Sequence, residues 1–299
     1  MKYYAVNFTI SPLSADASDL LAALAGEVGF ESFEDTAQGL CGYVQQPLFE
    51  SVQLDALLRD FPLPGISISY VVSQAEDRDW NEQWEQQGFE PITVSCQAPD
   101  GTTRSLLIHD GRHLPSPFTL HPSPFTSIEI DAKLAFGTGT HETTRMVCSI
   151  LLQLFSQQAT CLQRVLDCGC GTGILGIAAM KLGARECVAY DIDEWSVDNT
   201  RHNAVINHVE LTPLLGDATI LNRVEGTFDL VMANINRNIL LQDMPLFRQK
   251  MSPTGRLILS GFYTGDIPLL IDKAATLGLT LTMQKEENGW ACIVLETTL

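Results

Sequence analysis

The chain has 299 residues, 45% of them apolar, and a formal net charge of −18. That length allows two domains with a packed core, and no apolar run reaches the roughly 18 residues of a membrane-spanning helix, so no membrane role is expected. The charge is uneven: residues 1–95 carry 15 acids against Lys2, Arg59 and Arg78, net −12, while the other 204 residues carry 21 acids and 15 bases, net −6.

An acidic module of this kind repels nucleic-acid phosphates and attracts basic surfaces. Plain solubility is the other account of the same charge. The eight cysteines show no repeated C-x-x-C spacing. A reduced, cytoplasmic chain with no metal site is the expectation.

Along the chain, "KYYAVNFTI" reads as a strand rather than a signal peptide. Leu20, Leu21, Leu24 and Val28 recur at helical spacing and end in glycine. "FESFED" and "GLCGYVQ" follow as short strands, then a helix with Val52, Leu54, Leu57 and Leu58 as its stripe, then the alternating strand "GISISYVVS". The order β-α-β-β-α-β is the ferredoxin-like pattern. This α+β unit is assigned to residues 1–78. A linker helix over 79–90 carries Trp80 and Trp84 on one face.

From residue 91 the pattern changes. "PITVSC" and "RSLLIHD" predict a hairpin around Pro99, Asp100 and Gly101. An irregular, proline-rich insert occupies 111–124. A strand then runs into the glycine-rich loop "LAFGTGTHETT", which opens a helix. Beyond it, strands and helices alternate, which implies a parallel sheet. Two final strands around Asn288 and Gly289 form a closing hairpin. A parallel sheet closed by an antiparallel hairpin is the class I methyltransferase pattern: α/β, Rossmann-like, over residues 91–299.

The chemistry is expected at the carboxyl ends of the parallel strands. In "VLDCGCGTG" a strand ends at Asp167, and Gly169, Gly171 and Gly173 open the next helix. Such glycines permit a tight turn and a close ligand, and the helix N-terminus offers unpaired N–H groups. A dinucleotide pyrophosphate or the carboxylate of S-adenosylmethionine could use them, and the G-x-G-x-G form favours the latter. Asp191, twenty-two residues after Gly169, is placed to accept from ribose hydroxyls. Asp193 reads as a helix cap. Asp217 either meets the adenine amine or caps a turn. Asn234 in "ANIN" stands where a transferred methyl and its acceptor should meet. Ile235 and Asn236 follow instead of a Pro-Pro-aromatic run, which argues for a non-planar acceptor such as an aliphatic amine. His141 is a candidate base or a structural hydrogen-bonder. "FGTGTHETT" also has a bland reading, a turn in which Thr140 caps a helix.

"LAFGTGTHETT", "VLDCGCGTGILGIAAMKLGA", "YDID" and "VMANI", in this order and spacing, resemble the ribosomal protein L-eleven methyltransferase family (PrmA). The resemblance covers residues 76–299 by motif and the N-terminal unit by architecture. It implies an S-adenosylmethionine-dependent enzyme that methylates lysine ε-amines and the α-amine of a large-subunit ribosomal protein. It also implies that the N-terminal domain grips this basic substrate, with no direct nucleic-acid contact. By motif matching it makes Thr144, Gly169, Asp191 and Asn234 donor ligands, with Phe136, Gly137 and Thr138 lining the pocket. The proline-rich insert is longer than the family pattern. Methyl transfer to another protein, to nucleic acid or to a small molecule is the alternative. A nicotinamide-dependent oxidoreductase is a further one, against which the closing hairpin and the second glycine loop count.

Overall fold

The chain is described by a computed structural model over residues 3–59, 61–63, 65–74, 88–114, 125–132, 137–157 and 162–297. It divides into two units, Met1–Trp80 and Asn81–Leu299. The expected tryptophan helix lies almost wholly outside the described residues, as do Phe136 and residues 115–124 of the proline-rich insert.

In the first unit, β1 (Tyr3–Ser11) is followed by α1 (Ala15–Glu27), β2 (Phe30–Thr36), β3 (Gly39–Gln45), α2 (Ser51–Arg59) and β4 (Ser67–Gln74). The Ser14 hydroxyl accepts from the Ala17 N–H at 3.3 Å and so starts α1. The strands are antiparallel in the order β2-β3-β1-β4, the ferredoxin-like arrangement. Alternation along β1 turns Val6, Phe8 and Ile10 inward, where they pack with Leu21 of α1 and Leu54 of α2.

The second unit opens with a three-stranded sheet, β5 (Ile92–Gln97), β6 (Thr103–His109) and β7 (Phe125–Glu129). The β5–β6 hairpin forms as its sequence predicts, and β7 then adds in parallel to β6. Next come α3 (Glu142–Ser156), β8 (Arg164–Cys168), α4 (Ile174–Leu182), β9 (Glu186–Asp191), α5 (Glu194–Ile206), β10 (Thr212–Leu215), β11 (Phe228–Asn234), α6 (Arg237–Lys250), β12 (Met251–Tyr263), α7 (Ile267–Thr276), β13 (Leu279–Glu287) and β14 (Trp290–Thr297). The seven-stranded sheet has the order β10-β9-β8-β11-β12-β14-β13. Its first five strands are parallel, and β14 runs antiparallel to both β12 and β13. This is a Rossmann-like, mostly parallel sheet closed by an antiparallel hairpin.

Both sheet faces are covered, which is why the central strands read as continuous apolar runs. Along β11, Leu230 and Met232 join the core that includes α3 and α4, while Val231 and Ala233 join the core that includes α6 and α7. The closing hairpin is fastened to α3. Lys285 Nζ donates to Ser149 Oγ at 2.7 Å, Asn288 Nδ2 to Glu142 Oε1 at 2.9 Å, and Arg145 Nε to Glu287 Oε1 at 3.1 Å. Among the described residues no helix is long and apolar enough to cross a membrane. The seven described cysteines are free thiols.

Candidate functional site

The strand order reverses at β8, which lies between β9 and β11. A crevice opens beyond the carboxyl ends of strands at such a point. Three loops meet there: residues 169–173 after β8, 191–193 after β9 and 234–236 after β11.

The first of these loops is folded by its glycines. Gly169 (φ 70°) donates to the Tyr190 carbonyl at 2.8 Å, and Cys170 to the same oxygen at 3.0 Å. A Cβ at Gly169 would collide with Ile235 Cγ2, so glycine is what lets the turns after β8 and β11 touch. Gly173 (φ 81°) precedes α4 and offers no side-chain cap. The cap comes from below: Asp167 Oδ2 accepts from Gly176 N, in the first turn of α4, at 2.9 Å. Asp167 is fully buried and its Oδ1 has no partner. Burial pushes its carboxyl up to about 7, against the Gly176 hydrogen bond and with the help of the Asp191 charge. The flanking thiols of Cys168 and Cys170 are buried and their ionisation is suppressed by that burial. They fill space beside the turn, and Cys170 Sγ accepts from Thr200 Oγ1 at 3.2 Å.

Asp191 ends β9 and stitches two loops together. Its Oδ2 accepts from Gly171 N at 2.9 Å and its Oδ1 from Asp193 N at 3.1 Å. Asp193 caps α5 through Trp195 N, as its sequence context predicts. Asp217 is exposed and its Oδ1 accepts from both the N–H and the hydroxyl of Thr219, at 2.9 and 2.5 Å. It therefore caps the short 3-10 turn Ala218–Arg223.

Asn234 ends β11, one residue past the pairing of Ala233 with Cys168. Its Oδ1 is buried without a partner. Thr144 lies in the first turn of α3, and its Oγ1 is likewise buried and unpartnered. Buried polar atoms are normally paired. Orphan acceptors at the ends of adjacent elements are what a site shaped for a polar ligand presents.

The first glycine loop is tied to the second. Thr172 Oγ1 donates to the Gly137 carbonyl at 2.6 Å. Thr138 is buried and its hydroxyl bonds Thr140 Oγ1 at 2.7 Å. The loop thus closes against the glycine turn at Gly137, while Gly171 is bonded to Asp191 and Gly169 lies against Ile235, the residue after Asn234. The cap of α3 is not Thr140 but His141, whose Nδ1 accepts from Thr143 N at 3.3 Å. Histidine is outside the usual N-cap set, so that detail was not readable from composition.

Two features have no counterpart in the sequence pattern. Tyr263 stacks on Trp290 with ring centroids 4.2 Å apart, and His141 meets Trp290 edge-on at 4.8 Å. Tyr263 of this trio lies three residues beyond Ser260, the register partner of Asn234. The second feature is a row of buried asparagines on α5: Asn199 and Asn203, with Asn207 at the helix end.

The family model "Ribosomal protein L11 methyltransferase (PrmA)" matches residues 48–298. Relatives named "Ribosomal protein L11 methyltransferase" include one from Phocaeicola vulgatus, 41% identical and covering 98% of both chains. Another, from Porphyromonas gingivalis, is 42% identical and covers 98% of this chain and 97% of its own. Among solved structures, a "ribosomal protein L11 methylase" from Lactobacillus delbrueckii subsp. bulgaricus superposes with a TM-score of 0.56 at 23% identity, over 71% of this chain and all of that one. That likeness bears on the fold.

Proposed function

The chain belongs to the ribosomal protein L11 methyltransferase family, and we propose that it transfers methyl groups from S-adenosylmethionine to lysine ε-amines and the α-amine of ribosomal protein L11. The observation that carries this reading is the bond that ties the two glycine loops together, through Thr172 and Gly137, along with the buried polar atoms of Thr144 and Asn234 that lack partners in the protein.

The donor fits these residues. Asp191 would hold the ribose, since each of its oxygens accepts one backbone N–H and keeps lone pairs for a hydroxyl. Gly169 and Gly171 let the donor approach the backbone. Gly137, Thr138 and Thr144 would form the near wall, with Thr144 Oγ1 given a partner. Asp217 can offer its second oxygen toward the adenine edge while Oδ1 keeps the cap. When bound, S-adenosylmethionine supplies an electrophilic methyl on a sulfonium centre, an already good leaving group.

The protein's own task is position and desolvation. Asn234 Oδ1 can accept from the incoming amine and orient its lone pair along the line of transfer. The aliphatic Ile235 after it suits a non-planar acceptor. A lysine amine, with an ordinary pKa near 10.4, must reach the site as the neutral base, and exclusion of water from the crevice favours that form. The His141 ring is spent on the α3 cap and on Trp290, so we assign it no proton-transfer role.

The acidic stretch 1–95 supports the proposal that residues 1–78 recognise a basic protein. A linker over 79–90 would join them to the catalytic part at 91–299. The same charge disfavours direct nucleic-acid contact, and a ribosomal-protein substrate puts the reaction in the cytoplasm. Mass spectrometry of ribosomal protein L11 incubated with the chain and S-adenosylmethionine tests the reading. Increments of one methyl on lysines and the N-terminal amine are expected. An unmodified substrate after exhaustive incubation would overturn it.

A further inference from the structure

Helix α5 carries a polar inner face. Asn199, Asn203 and Asn207 recur every four residues and are 4%, 0% and 3% exposed. Their amides reach two separate parts of the chain. Asn207 Oδ1 accepts from Glu129 N at 3.0 Å, and its Nδ2 donates to the Glu129 carbonyl at 2.6 Å. Asn199 Nδ2 donates to the Asp131 carbonyl at 2.8 Å. Asn203 does something the other two do not. Its Oδ1 accepts from Asp131 N at 3.0 Å, while its Nδ2 donates to the Thr172 carbonyl at 2.9 Å.

One buried amide therefore spans from Asp131, two residues past the end of β7, to the glycine turn of the second loop. Thr172 completes the circuit, because its hydroxyl donates to the Gly137 carbonyl at 2.6 Å. The chain leaves this circuit at Asp131 and re-enters it at Gly137, so both ends of the segment that opens the first loop are held to the same turn. Thr200, on the same helix face, donates to the Gly171 carbonyl at 2.9 Å and fixes the turn from below.

We propose that Asn203 is a positioning residue that sets the spacing between the two glycine loops, and through that spacing the affinity for the methyl donor. The chemistry suits the task. An asparagine amide is at once donor and acceptor with a fixed separation, so it joins a backbone N–H on one segment to a backbone carbonyl on another without a charge. Serine or threonine is too short to span the two. Asn207, one turn further on, pairs with both backbone groups of Glu129 and touches neither glycine loop. It holds the strand but not the crevice.

The inference rests on donor binding at these loops, so the test separates the two. Calorimetric titration of the intact wild-type chain with S-adenosylmethionine comes first, and a wild type that binds no donor overturns the functional reading itself. With wild-type binding in hand, Asn203→Ala and the isosteric Asn203→Asp, which keeps the acceptor and removes the donor to Thr172, are each expected to weaken donor binding about tenfold or more, the size of a lost buried hydrogen bond. Asn207→Ala is expected to unfold at lower urea yet keep its donor Kd within about twofold of wild type. In steady state the Asn203 variants should show a raised donor KM, with kcat at saturating donor little changed. The proposal is overturned if Asn203→Asp binds the donor as wild type does. It is equally overturned if Asn207→Ala loses as much donor affinity as the Asn203 variants, because the ladder then acts on overall stability alone. Should Asn203→Ala fail to fold, the difference in donor Kd between Asn203→Asp and Asn207→Ala decides the matter by the same two criteria.

Discussion

Replacing Asp191 by alanine removes a carboxylate to which we assign two tasks. In the protein alone it accepts from Gly171 N at 2.9 Å and from Asp193 N at 3.1 Å. With the donor bound it would also accept from the two ribose hydroxyls. Hydrogen bonds to a charged acceptor contribute about 1.5–3 kcal/mol each, and the half-buried site favours the lower end. Two ribose bonds should therefore contribute about 3 kcal/mol, and Kd for S-adenosylmethionine should rise about 150-fold. Loss of the Gly171 and Asp193 bonds loosens the turn and blurs that number. The ribose share can be isolated with a cycle that also varies the ligand. Titration of S-adenosylhomocysteine and its dideoxyribose analogue into wild type and Asp191→Ala gives four affinities. Wild type should lose affinity for the dideoxy ligand, and the variant should not discriminate between the two. Equal discrimination by both proteins would refute the assignment of the ribose to Asp191.

The remaining predictions are narrower. Asn234→Ala should lower kcat by about 10- to 100-fold, the size of one well-placed hydrogen bond in the transition state; because its Oδ1 has no partner in the protein, urea unfolding should shift little. Thr172→Val should cost about 1–3 kcal/mol of stability by leaving the buried Gly137 carbonyl unpaired, read from the urea midpoint. Asp167 should make the ligand-free protein less stable as pH rises: its folded value of about 7 lies above the ordinary 3.8, so between those values the unfolded chain holds fewer protons than the folded one. That gap is worth about 4 kcal/mol in full, and between pH 5 and pH 8 wild type should lose about 2–3 kcal/mol more than Asp167→Asn, which keeps an acceptor for Gly176 N. Parallel pH dependences of the two proteins in urea unfolding would contradict this.

The legible parts of this chain are those where burial is apolar or glycine is obligatory. Val6, Phe8 and Ile10 alternate on β1 because one face of that strand is buried. Leu230 to Ala233 run without a break because β11 is covered on both faces. Those two patterns distinguish the N-terminal antiparallel sheet from the central parallel one by residue type alone. Gly169 and Gly173 announce the turn after β8 for a similar reason: their φ values and the close approach of Ile235 and Thr200 leave no room for a side chain. Elsewhere the strand bounds moved. β12 extends from Met251 to Tyr263, well past the apolar run Leu257–Leu259, because pairing with β11 begins at Phe228 and Met251 and pairing with β14 continues to Trp290.

Helix α5 shows why the rest was hidden. Read by hydrophobicity, "EWSVDNTRHNAVIN" is a solvated helix, with Val197 and Ala204 as its buried apolar residues. Its buried face is in fact built from Asn199, Thr200 and Asn203, with Asn207 just beyond. Burying amides is unfavourable unless every group finds a partner. Those partners are the N–H and carbonyl groups of Glu129 and Asp131 and the carbonyls of Gly171 and Thr172. Residues 129–131 continue from the end of a strand, and 171–172 form a turn, so neither segment satisfies its backbone through the large sheet. A segment that must stay irregular to border a ligand leaves orphan backbone groups, and an apolar helix face could not have satisfied them. The polar period of α5 follows from the irregularity of the two loops it supports. It becomes readable as a buried face only after the parallel sheet has placed that helix beside them.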